Sequence, residues 1–184
     1  MMRPVRLYLA GPAGAGKTTV TDMLVREYGF GRVSLGGICR EEARRRGLPE
    51  DRATLQAMGD LLRGSEPARL AILAWEQARR VPGPVVIDGV RLRAEAEWLS
   101  ARGALGVRVS APEPVRTVRL LRRDGAIGVP PHPTESEAEA LSADLWLQTS
   151  EDHAELCRTT RLLVARAHLR AAIAQPSRQP APVQ

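Results

Sequence analysis

The sequence predicts a three-layer α/β/α domain on a parallel sheet of five strands. Three observations carry this expectation. Short, mostly apolar runs recur at 5–10, 32–34, 85–88, 106–109 and 145–148. Strands that are apolar along their length are covered on both faces, as in parallel sheets. Helical segments separate the runs, so each crossover carries a helix. The first run ends in a glycine-rich turn that opens a helix, and sheets of this type bind ligands beyond the carboxyl ends of their strands.

In chain order, the strand at 5–10 leads through the glycine-rich turn into a helix over 17–28, with Val20 and Leu24 on one face. A short strand at 32–34 follows, then helices over 38–46, 52–63 and 66–80. Gly47-Leu48-Pro49 and Gly64-Ser65 break that helical run. The strand at 85–88 ends in Asp88, and a helix spans 93–101. The strand at 106–109 precedes a helix over 114–123 that opens with Pro114. A helix over 135–142, a strand at 145–148 and a helix over 151–173 complete the domain. Residues 175–184, rich in Pro and Gln, read as a disordered tail. The expected organisation is one domain over 1–174.

Composition narrows the function. The chain has 184 residues, enough for one domain with a sizeable core. Its apolar runs are too short to span a bilayer, and 1–10 lacks the length and cleavage site of a signal peptide. The expected location is the cytoplasm. Cys39 and Cys157 lack the paired spacing of a zinc site and read as reduced thiols. The net charge of +6 suits a nucleic acid or a small polyanion. Aromatic residues are only 3%, too few to stack on bases, and the basic residues are spread along the chain. A positive cleft for phosphates is the simpler reading.

The strongest motif is Gly11-Pro12-Ala13-Gly14-Ala15-Gly16-Lys17-Thr18, which fits G-x-x-x-x-G-K-[ST] between a strand and an amphipathic helix. Such a P-loop lets backbone N–H groups converge on phosphate oxygens at the positive end of a helix. The fold class is thereby that of the P-loop NTPases. The ATP-binding residues are Gly11, Ala13, Gly14, Ala15, Gly16, Lys17, Thr18 and Thr19. Lys17 reaches the β- and γ-phosphates, and Thr18 binds Mg²⁺. Lys17 is also the only lysine in a chain that otherwise uses arginine. A compact ammonium fits between phosphates where a planar guanidinium does not. Asp88 ends the neighbouring strand, where its carboxylate positions Mg²⁺ through water or takes a proton from an attacking hydroxyl. Arg91 follows on the same turn and suits a substrate phosphate.

Ser34-Leu35-Gly36-Gly37-Ile38-Cys39-Arg40 resembles the Ser-x-Gly-Asp-x-x-Arg stretch of adenylate kinase and the other nucleoside monophosphate kinases. Arg40 matches the arginine that grips the acceptor phosphate, and Gly37 stands where the family has Asp. Two branches look nearer. Residues 55–63, 86–91 and 132–135 are similar to phage-type deoxynucleoside monophosphate kinases. Residues 34–63 with 88–91 are similar to small dephospho-coenzyme A kinase-like proteins. The resemblance covers roughly 5–156. It implies an acceptor-binding helical insertion at about 35–80, with Arg40, Arg63 and Arg91 on the acceptor, and a short lid at about 124–135. The helix before the lid carries Arg116, Arg119, Arg122 and Arg123. Arg119 and Arg123, four apart on one face, match the lid arginines that neutralise the transferring phosphoryl group, so Lys17, Asp88, Arg119 and Arg123 form the implied catalytic set. His132 and Glu135 match residues near the phage-type active site, and the loop 148–152 matches the one that packs on adenine.

The expected activity is transfer of the γ-phosphoryl of MgATP to a small nucleotide, most simply a (deoxy)nucleoside monophosphate, by a monomer or homodimer without a membrane partner. Dephospho-coenzyme A, a nucleic acid or a modified base are the alternative acceptors. A regulatory GTPase is disfavoured because guanine recognition by Asn-Lys-x-Asp is impossible in a chain without Asn. The chain is also too short for the added helical domain of an oligomeric ATPase motor.

Overall fold

A computed structural model describes residues 4–124 and 141–173. Within them lie five strands and seven helices: β1 Arg6–Ala10, α1 Lys17–Tyr28, β2 Gly31–Ser34, α2 Leu35–Arg45, α3 Arg52–Arg63, α4 Arg69–Arg80, β3 Val85–Asp88, α5 Arg93–Ser100, β4 Leu105–Ser110, α6 Glu113–Asp124, β5 Leu145–Gln148 and α7 His153–Ile173. The strands form one sheet in the order β2-β3-β1-β4-β5. Every neighbouring pair is parallel.

The alternation of side chains along each strand divides the core into two layers. Tyr8 and Ala10 of β1 and Val85 and Ile87 of β3 face α2 to α5, where Leu35, Cys39, Met58, Leu70, Ala74 and Leu99 pack. Leu7 and Leu9, with Val86, face the opposite side against Val20 and Leu24 of α1 and Leu156 and Leu163 of α7. All four residues of β3 are buried, which is why its sequence is apolar up to Asp88. Each buried Leu, Ile or Val contributes about 1.5–3 kcal/mol relative to exposure.

Two helix starts differ from the sequence expectation, one through a side-chain cap and one through a backbone turn. α2 begins at Leu35 rather than 38, because the Ser34 side chain accepts a hydrogen bond from the Gly37 N–H at 3.2 Å. That cap outweighs the poor helix propensity of Gly36 and Gly37. α4 begins at Arg69 rather than 66, because Glu66 N–H bonds back to the Arg63 carbonyl and 66–68 form a separate turn. α3 starts where expected, with the Asp51 carboxylate accepting from Thr54 N–H at 2.9 Å. The other described elements lie within two residues of expectation. The helix expected over 135–142 falls outside the described residues except for Leu141 and Ser142, which are not helical. The tail at 175–184 and all but the first residue of the expected lid also lie outside them. Among the described residues no helix is long and apolar enough to cross a membrane.

Gly106 of β4 pairs with Tyr8 of β1. A Cβ at Gly106 would stand 2.5 Å from the Tyr8 hydroxyl and 2.6 Å from its ring. The ring is buried and its hydroxyl bonds Ser100 Oγ at 3.0 Å, so it has little room to yield. Gly106→Ala is expected to lower stability by about 1–3 kcal/mol through overpacking, read as a reduced urea midpoint with an unchanged m-value.

Candidate functional site

The P-loop leaves β1 at Ala10 and crosses the backbone of its neighbours more closely than a side chain permits. Gly11 has φ 140°, and a Cβ there would meet the Val109 carbonyl oxygen at 2.0 Å. Gly14, at φ 76°, would meet the Arg116 carbonyl oxygen at 2.8 Å. Gly16 occupies the left-handed region as the N-cap of α1, with Thr149 Cγ2 3.0 Å and Arg119 Nη1 3.4 Å from where its Cβ would be. The three glycines let the loop wrap over the carboxyl edge of β1 and β4, and the N-terminal amides of α1 open onto the hollow of that loop. The first turn of α1 carries no acidic residue.

Lys17 Nζ donates to the carbonyls of Gly11 at 2.6 Å and Pro12 at 2.8 Å, so the ammonium bridges the mouth of the loop. Thr18 and Thr19 are exposed on the first turn of α1, and Ala15 is buried behind them. Arg119 of α6 reaches the same loop, its Nη1 donating to Gly14 O at 3.3 Å and to Thr149 Oγ1 at 2.9 Å. Arg123 lies one turn further along α6. Asp88 stands at the end of β3, next to β1, with its side chain 12% exposed, and its Oδ2 accepts from Arg32 Nη2 at 3.0 Å. The other arm of Arg32 bonds Asp22 of α1 at 3.1 Å.

The acceptor candidates lie on the α2 to α5 side. Arg40 Nε pairs with Glu50 at 3.1 Å and remains partly exposed. Arg63 is turned inward onto Glu95, at 2.9 and 3.0 Å. The Arg91 N–H donates to the same Glu95 carboxylate at 2.9 Å. His132 and Glu135 lie outside the described residues. The structure thus brings the P-loop, Lys17 and Arg119 into direct contact, with Asp88 at the same sheet edge. It places Arg40, Arg63 and Arg91 around α2, α3 and the turn after β3.

Three site residues did not emerge from the sequence. Thr149, directly after β5, is 3% exposed, and its hydroxyl donates to the Ala15 carbonyl at 2.9 Å while accepting from Arg119. Arg32 is the partner of Asp88. Glu95 is buried at the third position of α5 and accepts from the N–H of Leu92, the residue before that helix. Glu three residues after a helix start is a capping signal, and it was the one available clue. The turn after β5 also lines a hollow of about 410 Å³ with Pro112, just before α6, and Val115 of α6.

Among the described residues there is no cluster of three or more His, Cys, Asp or Glu that could hold a metal ion by itself. A Mg²⁺ carried by a nucleotide has a different need, one or two hard oxygen donors beside the phosphates. The Thr18 hydroxyl and the Asp88 carboxylate, at the ends of adjacent elements, are donors of that type.

The chain is similar to several known proteins. A family described as an AAA domain matches residues 10–125. A UPF0200 protein of Aeropyrum pernix is 35% identical over 128 residues, 67% of this chain and 68% of that protein. A cytidylate kinase of Haloquadratum walsbyi is 34% identical over 141 residues, 73% of this chain and 68% of that protein. Matches to other relatives cover less, from 67% of a UPF0200 protein of Pyrococcus horikoshii down to 30% of an adenylate kinase of Thermoplasma volcanium, so the chain spans about two thirds or less of the relatives' own length. A shikimate kinase from Acinetobacter baumannii, solved in complex with shikimate, shares the fold at a TM-score of 0.58 and 17% identity, over 90% of this chain and 96% of that one.

Thr149→Val keeps the shape of the turn and removes the hydroxyl that joins Ala15 to Arg119. Leaving those partners unsatisfied costs about 1–3 kcal/mol. The expected outcome is an affinity for a fluorescent ATP analogue about tenfold lower or worse, with the circular dichroism spectrum unchanged.

Proposed function

The chain belongs to the AAA domain family of P-loop proteins, within the nucleoside monophosphate kinase superfamily, and on that premise we propose that it transfers the γ-phosphoryl group of ATP to the phosphate of a small nucleotide. The observation that carries this reading is the meeting of Arg119 with the P-loop. Its guanidinium lies on Gly14 O and Thr149 Oγ1, while Lys17 lies across the mouth of the same loop. Two cations from distant segments therefore flank one phosphate seat. A binding switch needs only to hold phosphate. A transferase also needs positive charge where negative charge builds up during transfer.

In this mechanism the P-loop amides and Lys17 hold the β- and γ-phosphates of ATP. An oxygen of the acceptor phosphate attacks the γ-phosphorus in line, and the bond from phosphorus to the β–γ bridging oxygen breaks. ADP leaves with the electron pair of that bond. Arg119 and Arg123 neutralise the transferring group. Thr18 would offer a hydroxyl ligand to the Mg²⁺ that accompanies ATP and Asp88 would orient its water, and the ion would supply further stabilisation of phosphate charge. Because the attacking oxygen belongs to a phosphate, no strong base is required, and Asp88, held by Arg32, has only to orient. The adenine lies against the turn 148–152.

We favour a ribo- or deoxynucleoside monophosphate as acceptor, held by Arg40 and Arg91. The Ser34 to Arg40 stretch, the excess of positive charge and the cytidylate kinases among the relatives support this. ADP release from MgATP, followed with each nucleoside monophosphate and with dephospho-coenzyme A, tests it. One nucleotide is expected to stimulate release strongly, and Lys17→Ala to abolish the stimulated rate. Arg119→Ala is expected to lower kcat by about 10²-fold or more with a small effect on acceptor KM. Stimulation by dephospho-coenzyme A alone moves the acceptor to a hydroxyl and makes Asp88 its base. Tight ATP binding without stimulation by any acceptor overturns the small-molecule reading.

A further inference from the structure

A buried carboxylate outside the phosphate cradle touches two of the residues assigned above to the acceptor. Glu95 is completely buried. Its Oε2 accepts the main-chain N–H groups of Arg91 at 2.9 Å and Leu92 at 3.1 Å. Its Oε1 accepts both Nε and Nη2 of Arg63, at 3.0 and 2.9 Å. Both oxygens are thus committed, one to the turn after β3 and the other to the end of α3. Arg63 in turn lies flat along its own helix. A Cβ on Gly59 would come within 3.1 Å of Arg63 Nη1 and 3.8 Å of Cys39 Sγ on α2. The same turn packs on the start of α2, with Gly36 N and Leu35 Cβ each 3.6 Å from where a Gly89 Cβ would be. One ion pair therefore sits where α2, α3 and the turn carrying Arg91 converge.

Stability alone is a poor reason for such a pair. Desolvation offsets most of the attraction between buried charges, and well-packed apolar residues of the same volume often stabilise a fold as much. A fixed fork of hydrogen bonds does something that apolar packing does not: it sets the direction of the groups it holds.

We propose that Glu95 is a positioning residue for the acceptor, fixing the Arg63 guanidinium and the Arg91 backbone together so that the acceptor phosphate meets one preset geometry. This rests on the kinase reading above. Arg91 follows Asp88 by three residues, so its main chain is held by Glu95 on one side and by the end of β3 on the other. A shift at Glu95 therefore moves the acceptor grip and leaves the P-loop, on the far side of Asp88, in place. In this arrangement Arg63 acts by anchoring Glu95 and does not itself grip the phosphate.

Two variants of the full chain test this, with the nucleotide that stimulates the wild-type enzyme, a fluorescent ATP analogue and thermal unfolding. Glu95→Gln keeps the volume but presents an NH₂ group to N–H donors. The expected result is an acceptor KM raised about tenfold or more, a smaller change in kcat, and ATP affinity within about twofold of wild type. Gly59→Ala improves helix propensity while pressing on the Arg63 guanidinium. The expected result is thermal stability equal to or above wild type with acceptor KM raised several-fold. A Glu95→Gln variant that loses affinity for ATP and acceptor alike, or a stable Gly59→Ala variant with unchanged acceptor KM, overturns the positioning role while leaving the kinase reading intact. A wild-type enzyme that no nucleotide stimulates overturns the kinase reading and this inference with it.

Discussion

Everything at the phosphate seat depends on how closely one stretch of backbone approaches others. Between β1 and α1 the chain passes so near the Val109 carbonyl of β4 and the Arg116 backbone of α6 that a Cβ at Gly11 or Gly14 would overlap them. That contact draws the loop down over the carboxyl edge of the sheet. It also puts Ala15 and Gly16 within reach of Thr149 from the turn after β5 and of Arg119 from α6. A loop standing even slightly higher would lose both contacts. The amides at the start of α1 would then no longer face the same point as Lys17 and Arg119.

The charged residues repeat one logic at different depths. The chain carries 27 basic residues, all but one of them arginine. Three arginines each hold their surroundings through more than one hydrogen bond. Arg32 spans Asp22 and Asp88, Arg119 spans Gly14 O and Thr149 Oγ1, and Arg63 grips Glu95 through two of its N–H groups. The one ammonium stands at the P-loop, where its two donated bonds converge on neighbouring carbonyls. Geometry separates these uses more than charge does. A planar donor array orients what it holds, and a compact point charge enters a narrow cage of oxygens.

Much of the fold was readable because its determinants are local. The residue pattern of 85–88 announced a strand buried on both faces, and β3 is that strand. The glycine spacing before Lys17 announced a loop and a helix start, and α1 begins at Lys17. Errors arose where a local cue opposed a stronger one. The helix expected from 38 starts instead at Leu35, because the Ser34 cap offsets the low helix propensity of Gly36 and Gly37. Glu66 to Ala68 looked helical and form a turn of their own before α4. At the site, the motif residues and Arg119 were visible as residue types in a known pattern. Thr149, Arg32 and Glu95 were not, since a threonine, an arginine or a glutamate is unremarkable until its neighbours are known.

The sequence by itself determined the class of domain, the phosphate-binding loop and the order of strands and helices along the chain. Each of these follows from hydrophobic period, backbone freedom or caps acting within a few residues. Only the tertiary structure decided the partners. Thr149 meets Ala15 across 134 positions, Asp88 meets Arg32 across 56, and Glu95 meets Arg63 across 32. A charged or polar side chain selects its partner by proximity and desolvation, and in this chain both are set by the parallel stacking of β2-β3-β1-β4-β5. The partners of these arginines therefore became readable only when the sheet had brought distant turns to one edge.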